Sequence, residues 1–297
     1  MDTDQCKRSI DEVVELGCKQ VLLQGFGEPL IDKKLEDKME YAKSKGLRTF
    51  ITSNASLMTR ERSRRLIEAG LDELRISFYG MRKESYETVM VGLNFEKTME
   101  NLTDFLDLRR ELGLRRPRLE INWLVLPENE GDTDQFREYW EPRADAIEIW
   151  KPHNFGDGRT YRERYYEISV KNTCGRPENG PLQIEWNGEV IPCCYDYNNR
   201  IVLGNAFEQP VLDILNGDKY KLLRMSHKEK QFGIFPYCDQ CDQLLPHADA
   251  LVYTNRHNLP KEEAVKMTNT YLYNILDDKP IDPENLNEAY IEQPGTD

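Results

Sequence analysis

The residues best suited to chemistry are cysteines. Cys238-Asp239-Gln240-Cys241 sets two thiols at C-x-x-C spacing, which offers a pair of thiolates to one metal ion or cluster. Upstream, Cys174 and the adjacent Cys193 and Cys194 flank the alternating stretch Leu182–Ile191. Asn187-Gly188 in its middle predicts a β-hairpin with a type I′ turn. Such a hairpin can carry Cys193 or Cys194 toward the C-x-x-C pair. Four thiolates suit zinc or an iron–sulfur cluster alike, and spacing does not separate the two. Scattered buried cysteines are the plainer alternative. Cys6 and Cys18 lie 12 positions apart, on and just after a predicted helix, and read as structural.

A second stretch with chemical potential is Gln20–Leu30. Val21-Leu22-Leu23 runs straight into Gly25-Phe26-Gly27-Glu28-Pro29. An apolar run bounded by glycine reads as a buried strand ending in a loop. The glycines let the backbone approach a ligand and take angles closed to other residues, and Pro29 stiffens the turn. Glu28 then sits at the carboxyl end of a strand, where parallel sheets and barrels place ligands. An ordinary strand-to-loop turn would look the same.

The elements that must position these residues alternate. Helices are expected at Asp4–Leu16, Lys33–Lys45, Thr59–Ala69, Asn94–Leu112 and from about Thr133, four of them stopped by Gly17, Gly46, Gly70 and Gly113. Strands begin near positions 20, 47, 73, 118 and 145, so that apart from one insertion the period is 26 or 27 residues. Strict strand–helix alternation predicts an α/β fold, a parallel sheet wound as an open or partial (β/α) barrel. The loops after its strands gather at one rim: GFGEP, TSNAS, SFYG, VLPEN and KPHN. Tyr79, Trp123, Trp150 and His153 stand at or near strand ends and could line a pocket, with core packing the plainer role for the two tryptophans.

Periodicity changes after Asn154, where a small cysteine-rich α+β domain is expected. The boundaries read as 1–155, 156–250 and a C-terminal tail, 251–297, with one helix from about Pro260 through Asn274 and an acidic end. A net charge of −13 argues against nucleic-acid or anionic-membrane partners. No run approaches the ~20 apolar residues of a membrane span, and MDTDQCKRS lacks a secretory layout. A cytoplasmic location is expected, which favours metal ligation or free thiols over disulfides.

The two halves together resemble a radical SAM protein with a C-terminal SPASM/Twitch domain, over about residues 5–245. GFGEP is similar to that family's GGEP-type motif, and Ser53-Asn54 and Ser77 fall where similar proteins carry polar residues after strands. Cys174 has 13 residues before Gly188, with four more before Cys193, and YDYN, LGN, ILNG and YCDQC continue the SPASM pattern. No cysteine follows Cys241, and position 247 is His247, so the resemblance is to the form with one auxiliary cluster.

The resemblance implies an auxiliary 4Fe–4S cluster on Cys174, Cys193, Cys238 and Cys241. It implies S-adenosyl-L-methionine at Gly25, Phe26, Gly27, Glu28 and Pro29, with Ser53, Asn54, Ser77 and Asn122 as further binding residues and Glu28 helping to fix the loop. The implied activity is that of an oxidoreductase or maturase abstracting a substrate hydrogen. Its implied partners are a small-molecule or peptide substrate and a reducing electron donor such as flavodoxin or ferredoxin. The family's CxxxCxxC loop, which holds a catalytic 4Fe–4S cluster, is absent from these residues. An N-terminally truncated barrel is therefore expected, with a longer natural chain favoured over a non-catalytic remnant. A zinc-binding structural module is the third reading.

Overall fold

Helices stopped by left-handed glycines alternate with short strands through the first half of the computed structural model, which describes residues 1–156, 171–245, 251–255, 273–274 and 279–280. The order is α1 (Thr3–Glu15), β1 (Gln20–Leu22), α2 (Leu35–Ser44), β2 (Arg48–Ser53), α3 (Arg60–Glu68), β3 (Glu73–Ser77), α4 (Lys83–Val89), α5 (Phe95–Glu111), β4 (Arg118–Leu124), α6 (Thr133–Trp140) and β5 (Ala146–Trp150). Side-chain caps start three of these helices. Asp2 and Gln5 form a capping box on α1, Thr59 accepts from the Arg62 amide, and Asn94 accepts from the Lys97 amide. The predicted insertion 81–94 contains a helix of its own, α4.

Strands β1 to β5 pair in sequence order and in parallel, with Phe50 opposite Glu73, Ser77 opposite Asn122, and Leu124 opposite Trp150. Alternation along each strand separates two faces. Leu74, Ile76, Leu119, Ile121, Trp123, Ile147 and Ile149 pack into the main core, against Phe105 and Phe136 of the helices. The inner face instead carries Glu73, Arg75, Ser77, Glu120, Asn122, Glu148 and Trp150. Trp123 is wholly buried, its ring centroid 4.7 Å from that of Phe136, so it is a core residue.

The sheet has a sixth strand, β9 (Leu251–Thr254), hydrogen-bonded beside β5. Ile147 donates its amide to the Asn255 side chain at 2.8 Å, and the Tyr253 hydroxyl donates to Glu141 at 2.6 Å under the Arg137 guanidinium. The tail expected from position 251 therefore starts with a strand. Its predicted helix, 260–274, lies outside the described residues except at the end. There Tyr273–Asn274 (β10) pair antiparallel with Lys279–Pro280 (β11).

The chain divides into two units. Met1–Trp150 groups with Tyr253–Asn255, and the second unit begins at Lys151. The expected boundary at 155/156 moves because Asn154 is bonded into the C-x-x-C region. Its amide donates to Asp242 at 3.0 Å, its side-chain amide donates to the Gln240 carbonyl at 2.7 Å, and its side-chain oxygen accepts from the Asp242 amide at 3.0 Å.

The second unit contains α7 (Arg176–Asn179), β6 (Gln183–Ile184), β7 (Glu189–Ile191), β8 (Gly204–Asn205), α8 (Val211–Leu215), α9 (Asp218–Lys228) and α10 (Pro236–Asp239). Its own core holds Val190, Ile201, Leu203, Ile214, Tyr220 and Leu223. The hairpin forms, but not with the expected type I′ turn. The Gly188 amide donates to the Glu185 carbonyl, and Gly188 alone is left-handed, at φ 86°. Trp186 and Asn187 thus occupy the turn, and Gly188 follows as the bulge residue. A Cβ on Gly188 would lie 2.3 Å from the Asn205 side-chain oxygen, so space and torsion both demand glycine. Among the described residues, no helix is long and apolar enough to cross a membrane.

Candidate cofactor site and metal centre

β1 ends where the Leu23 amide bonds the Phe50 carbonyl, and the chain then opens into Gly25–Pro29. Glu28 organises this loop. Its Oε1 accepts from the Leu30 amide at 3.0 Å and from the Ser53 hydroxyl at 2.8 Å, while Oε2 accepts from the Asn54 amide at 2.8 Å. One carboxylate thereby caps the 3₁₀ turn Pro29–Ile31 and ties the loop after β1 to the end of β2. Ser53 and Asn54 come to the site as partners of Glu28. The Ser53 hydroxyl also accepts from the Ala55 amide, and the Asn54 side chain accepts from the Ser56 amide.

Gly25 and Gly27 do not have positive φ, contrary to the torsional role expected for them. A Cβ built on either meets no described atom within 4 Å, and Phe26 is half exposed. The backbone here is open to close approach from outside, which fits a ligand held along main-chain groups.

Ser77 and Asn122 are brought together as register partners on the inner face. Burial pushes the Tyr79 phenol above its usual range, with Ser77 opposing. The Asn122 side chain reaches Glu120 at 3.5 Å. On the same strands sits an ionic group that the sequence reading missed. Arg75 pairs with Glu73 at 2.8 Å and Glu120 at 3.4 Å, and the Trp150 indole donates to Glu148 at 3.1 Å. Glu73, Glu120 and Glu148 are all at most 4% exposed. Burial works against the Arg75 charge, but these three carboxylates outweigh it and raise its pKa. The available signal was the alternation of charged and apolar residues in E-L-R-I-S and L-E-I-N.

The thiols lie in the second unit. Cys174 precedes left-handed Gly175, and Cys193 and Cys194 follow β7. Their turn is shaped by buried Asp196, which accepts from the Arg200 and Ile201 amides at 2.8 and 2.7 Å. Cys238 stands on α10, and the Cys241 amide closes onto the Cys238 carbonyl at 2.9 Å. All five keep part of their surface accessible.

Burial pushes the Cys193 thiol up to about 12, with Cys194 adding to it and Arg176 opposing. Burial also raises Cys174, Cys238 and Cys241, and both C-x-x-C thiols are pushed further by Cys193 and Cys174. Among the described residues, no three His, Cys, Asp or Glu side chains converge as ligands of a single ion do. Yet these thiols stand close enough to act on one another's charge. The mutual action weighs more, because a cluster spreads its ligand sulfurs over several metal atoms. Four thiols that repel one another when ionised suit a polynuclear cation that takes them as thiolates.

His153 belongs with this unit and not with an open pocket. Its Nδ1 is 2.8 Å from the Gln243 side-chain nitrogen, and its ring packs on Tyr195 at 4.8 Å. His247 lies outside the described residues. Cys6 is buried in a small core with Ile10, and the Cys18 thiol donates to the Gln20 carbonyl.

Comparison with known proteins agrees with this division. The Radical SAM superfamily model matches residues 1–139, and the SPASM model, an iron–sulfur cluster-binding domain, matches residues 174–242. The chain is 22% identical to the tungsten-containing aldehyde ferredoxin oxidoreductase cofactor-modifying protein of Pyrococcus furiosus, covering 81% of this chain and 79% of that one. It is 24% identical to the AdoMet-dependent heme synthase of Methanosarcina barkeri, covering 81% of each. The structure of anSMEcpe with bound AdoMet matches with a TM-score of 0.57 at 14% identity, over 81% of this chain and 76% of that chain, a likeness of fold. A parallel βα sheet under the first match and the cysteine-bearing segments under the second lead to one assignment: residues 1–139 form a radical SAM domain and residues 174–242 a SPASM domain.

Proposed function

We propose that this protein serves a radical SAM oxidoreductase or maturase acting on a small-molecule or peptide substrate, with one auxiliary cluster. The observation that carries the reading is the match of residues 174–242 to an iron–sulfur cluster-binding domain, a span that holds Cys174, Cys193, Cys238 and Cys241. Cys193 supplies the fourth ligand in preference to Cys194. The spacing of four residues between Gly188 and Cys193 supports that choice.

When bound together and reduced, S-adenosylmethionine and a catalytic 4Fe–4S cluster supply a 5′-deoxyadenosyl radical that takes a hydrogen atom from substrate. The chain's own residues bind and orient. The open main chain at Gly25–Gly27 would receive the methionine ammonium, and Glu28 would hold that main chain in place from two sides. Ser77 and Asn122, side by side on the inner face, would present a hydroxyl and an amide to the rest of the nucleoside. The carboxylates below them are already engaged with Arg75 and Trp150, so they act as a fixed polar floor.

Anaerobic purification tests the metal assignment. About four irons and four sulfides per chain are expected, the content of one cubane. One zinc without iron would favour a structural metal site instead. The activity is tested on a chain that carries a CxxxCxxC segment together with these residues. Under strong reductant with S-adenosylmethionine, 5′-deoxyadenosine is the expected product, and its absence from a fully loaded protein would overturn the reading.

A further inference from the structure

Arg176 is only 5% exposed, an unusual depth for a guanidinium, and it lies two positions after Cys174. Its guanidinium carbon stands 4.7 Å from the Tyr195 ring centroid, and its Nη2 lies 3.4 Å from the Tyr195 hydroxyl. Tyr195 itself directly follows Cys193-Cys194. The cation is thus fixed between the two cysteine-bearing segments. The backbone around it is held too. A Cβ on Gly180 would fall 2.6 Å from the Arg176 carbonyl, so that turn closes tightly over the residue.

A cluster held by thiolates gains one unit of negative charge when it takes up one electron. A permanent positive charge buried beside it stabilises the reduced form more than the oxidised form, and net charge and burial are the levers that set such potentials. We propose that Arg176 raises the reduction potential of the auxiliary cluster and so poises it to accept electrons. The proposal rests on assigning the four cysteines to an iron–sulfur cluster. It gives that cluster a role as electron acceptor, beyond shaping a pocket, and it favours the oxidative side of the family's chemistry.

The test compares the 297-residue chain with Arg176→Lys, Arg176→Gln and Arg176→Met, all purified anaerobically. Iron and sulfide per chain and the EPR signal of the dithionite-reduced protein report the cluster itself. A mediated redox titration followed by that signal reports the potential. With iron content equal to the parent, the Gln and Met variants are expected to lose about tenfold in the reduced-to-oxidised ratio at a fixed poise, which is about 59 mV for one electron. The Lys variant is expected to stay near the parent.

A parent chain without any iron–sulfur signal would remove the cluster assignment itself. Loaded Gln and Met variants with an unchanged potential would overturn the tuning role alone. A Lys variant that falls as far as the neutral ones would overturn it too, since charge would then not be the lever. If the neutral variants bind no iron while Arg176→Lys does, Arg176 serves to retain the cluster, and tuning is likewise overturned.

Discussion

Glu28→Ala removes a carboxylate that joins the loop after β1 to the end of β2. The carboxylate accepts from the Leu30 amide, the Ser53 hydroxyl and the Asn54 amide, all at 2.8 to 3.0 Å. Hydrogen bonds to a charged partner contribute about 1.5–3 kcal/mol each. Two of the donors are amide protons, so native-state hydrogen exchange reads them one by one. Loss of one such bond should speed exchange at Leu30 and at Asn54 by roughly 10- to 150-fold, from 1.4 kcal/mol per factor of ten. The Leu102 amide, in the middle of α5, should not change. Glu28→Gln keeps one acceptor oxygen but turns a donor toward another donor, so only one of the two amides should stay protected. Unchanged protection at both amides in the Ala variant would refute the role given to this carboxylate.

Three further outcomes are expected. Gly188→Ala should destabilise the second unit by about 2 kcal/mol or more, because it combines a left-handed residue with overpacking against Asn205 and Phe207; thermal unfolding checks this. Cys193→Ala should lose most of the iron while Cys194→Ala retains it, as read by metal analysis. Burial lowers the His227 pKa to about 4, below its usual 6.5, so the folded state resists protonation that the unfolded chain accepts. Stability of the second unit should therefore hold above pH 6.5 and fall as the pH drops from there toward 4, by about 3 kcal/mol in full. His227→Leu should flatten that slope in denaturant titrations at several pH values.

The βα order was readable because its signals are local. Glycine after each helix and apolar alternation in each strand need no knowledge of distant residues. The Cys174–Gly188–Cys193 spacing was readable for a similar reason, since Gly188 is demanded by its own torsion and by a neighbour only 17 positions on. The turn type failed because Asn-Gly fits two hairpin registers, and only the Glu185–Gly188 bond decides between them. β9 was not legible, since Leu251–Thr254 becomes a strand through pairing with β5, about a hundred positions earlier. The inner ionic group and Arg176 were missed for the same reason. A charged residue looks solvent-exposed until the partners that bury it are known.

The placement of β9 also has a consequence for how the chain is made. Ribosomes release the sheet-forming residues of β1 to β5 first, and the strand that covers β5 emerges only after the whole cysteine-bearing segment has been added. At about 5–20 residues per second, those hundred or so residues take roughly 5–20 seconds. Through that interval the backbone edge of β5 has no sequence-encoded partner and can pair with another nascent chain. Loss of protein to aggregation should therefore ease when translation across residues 151–250 is faster.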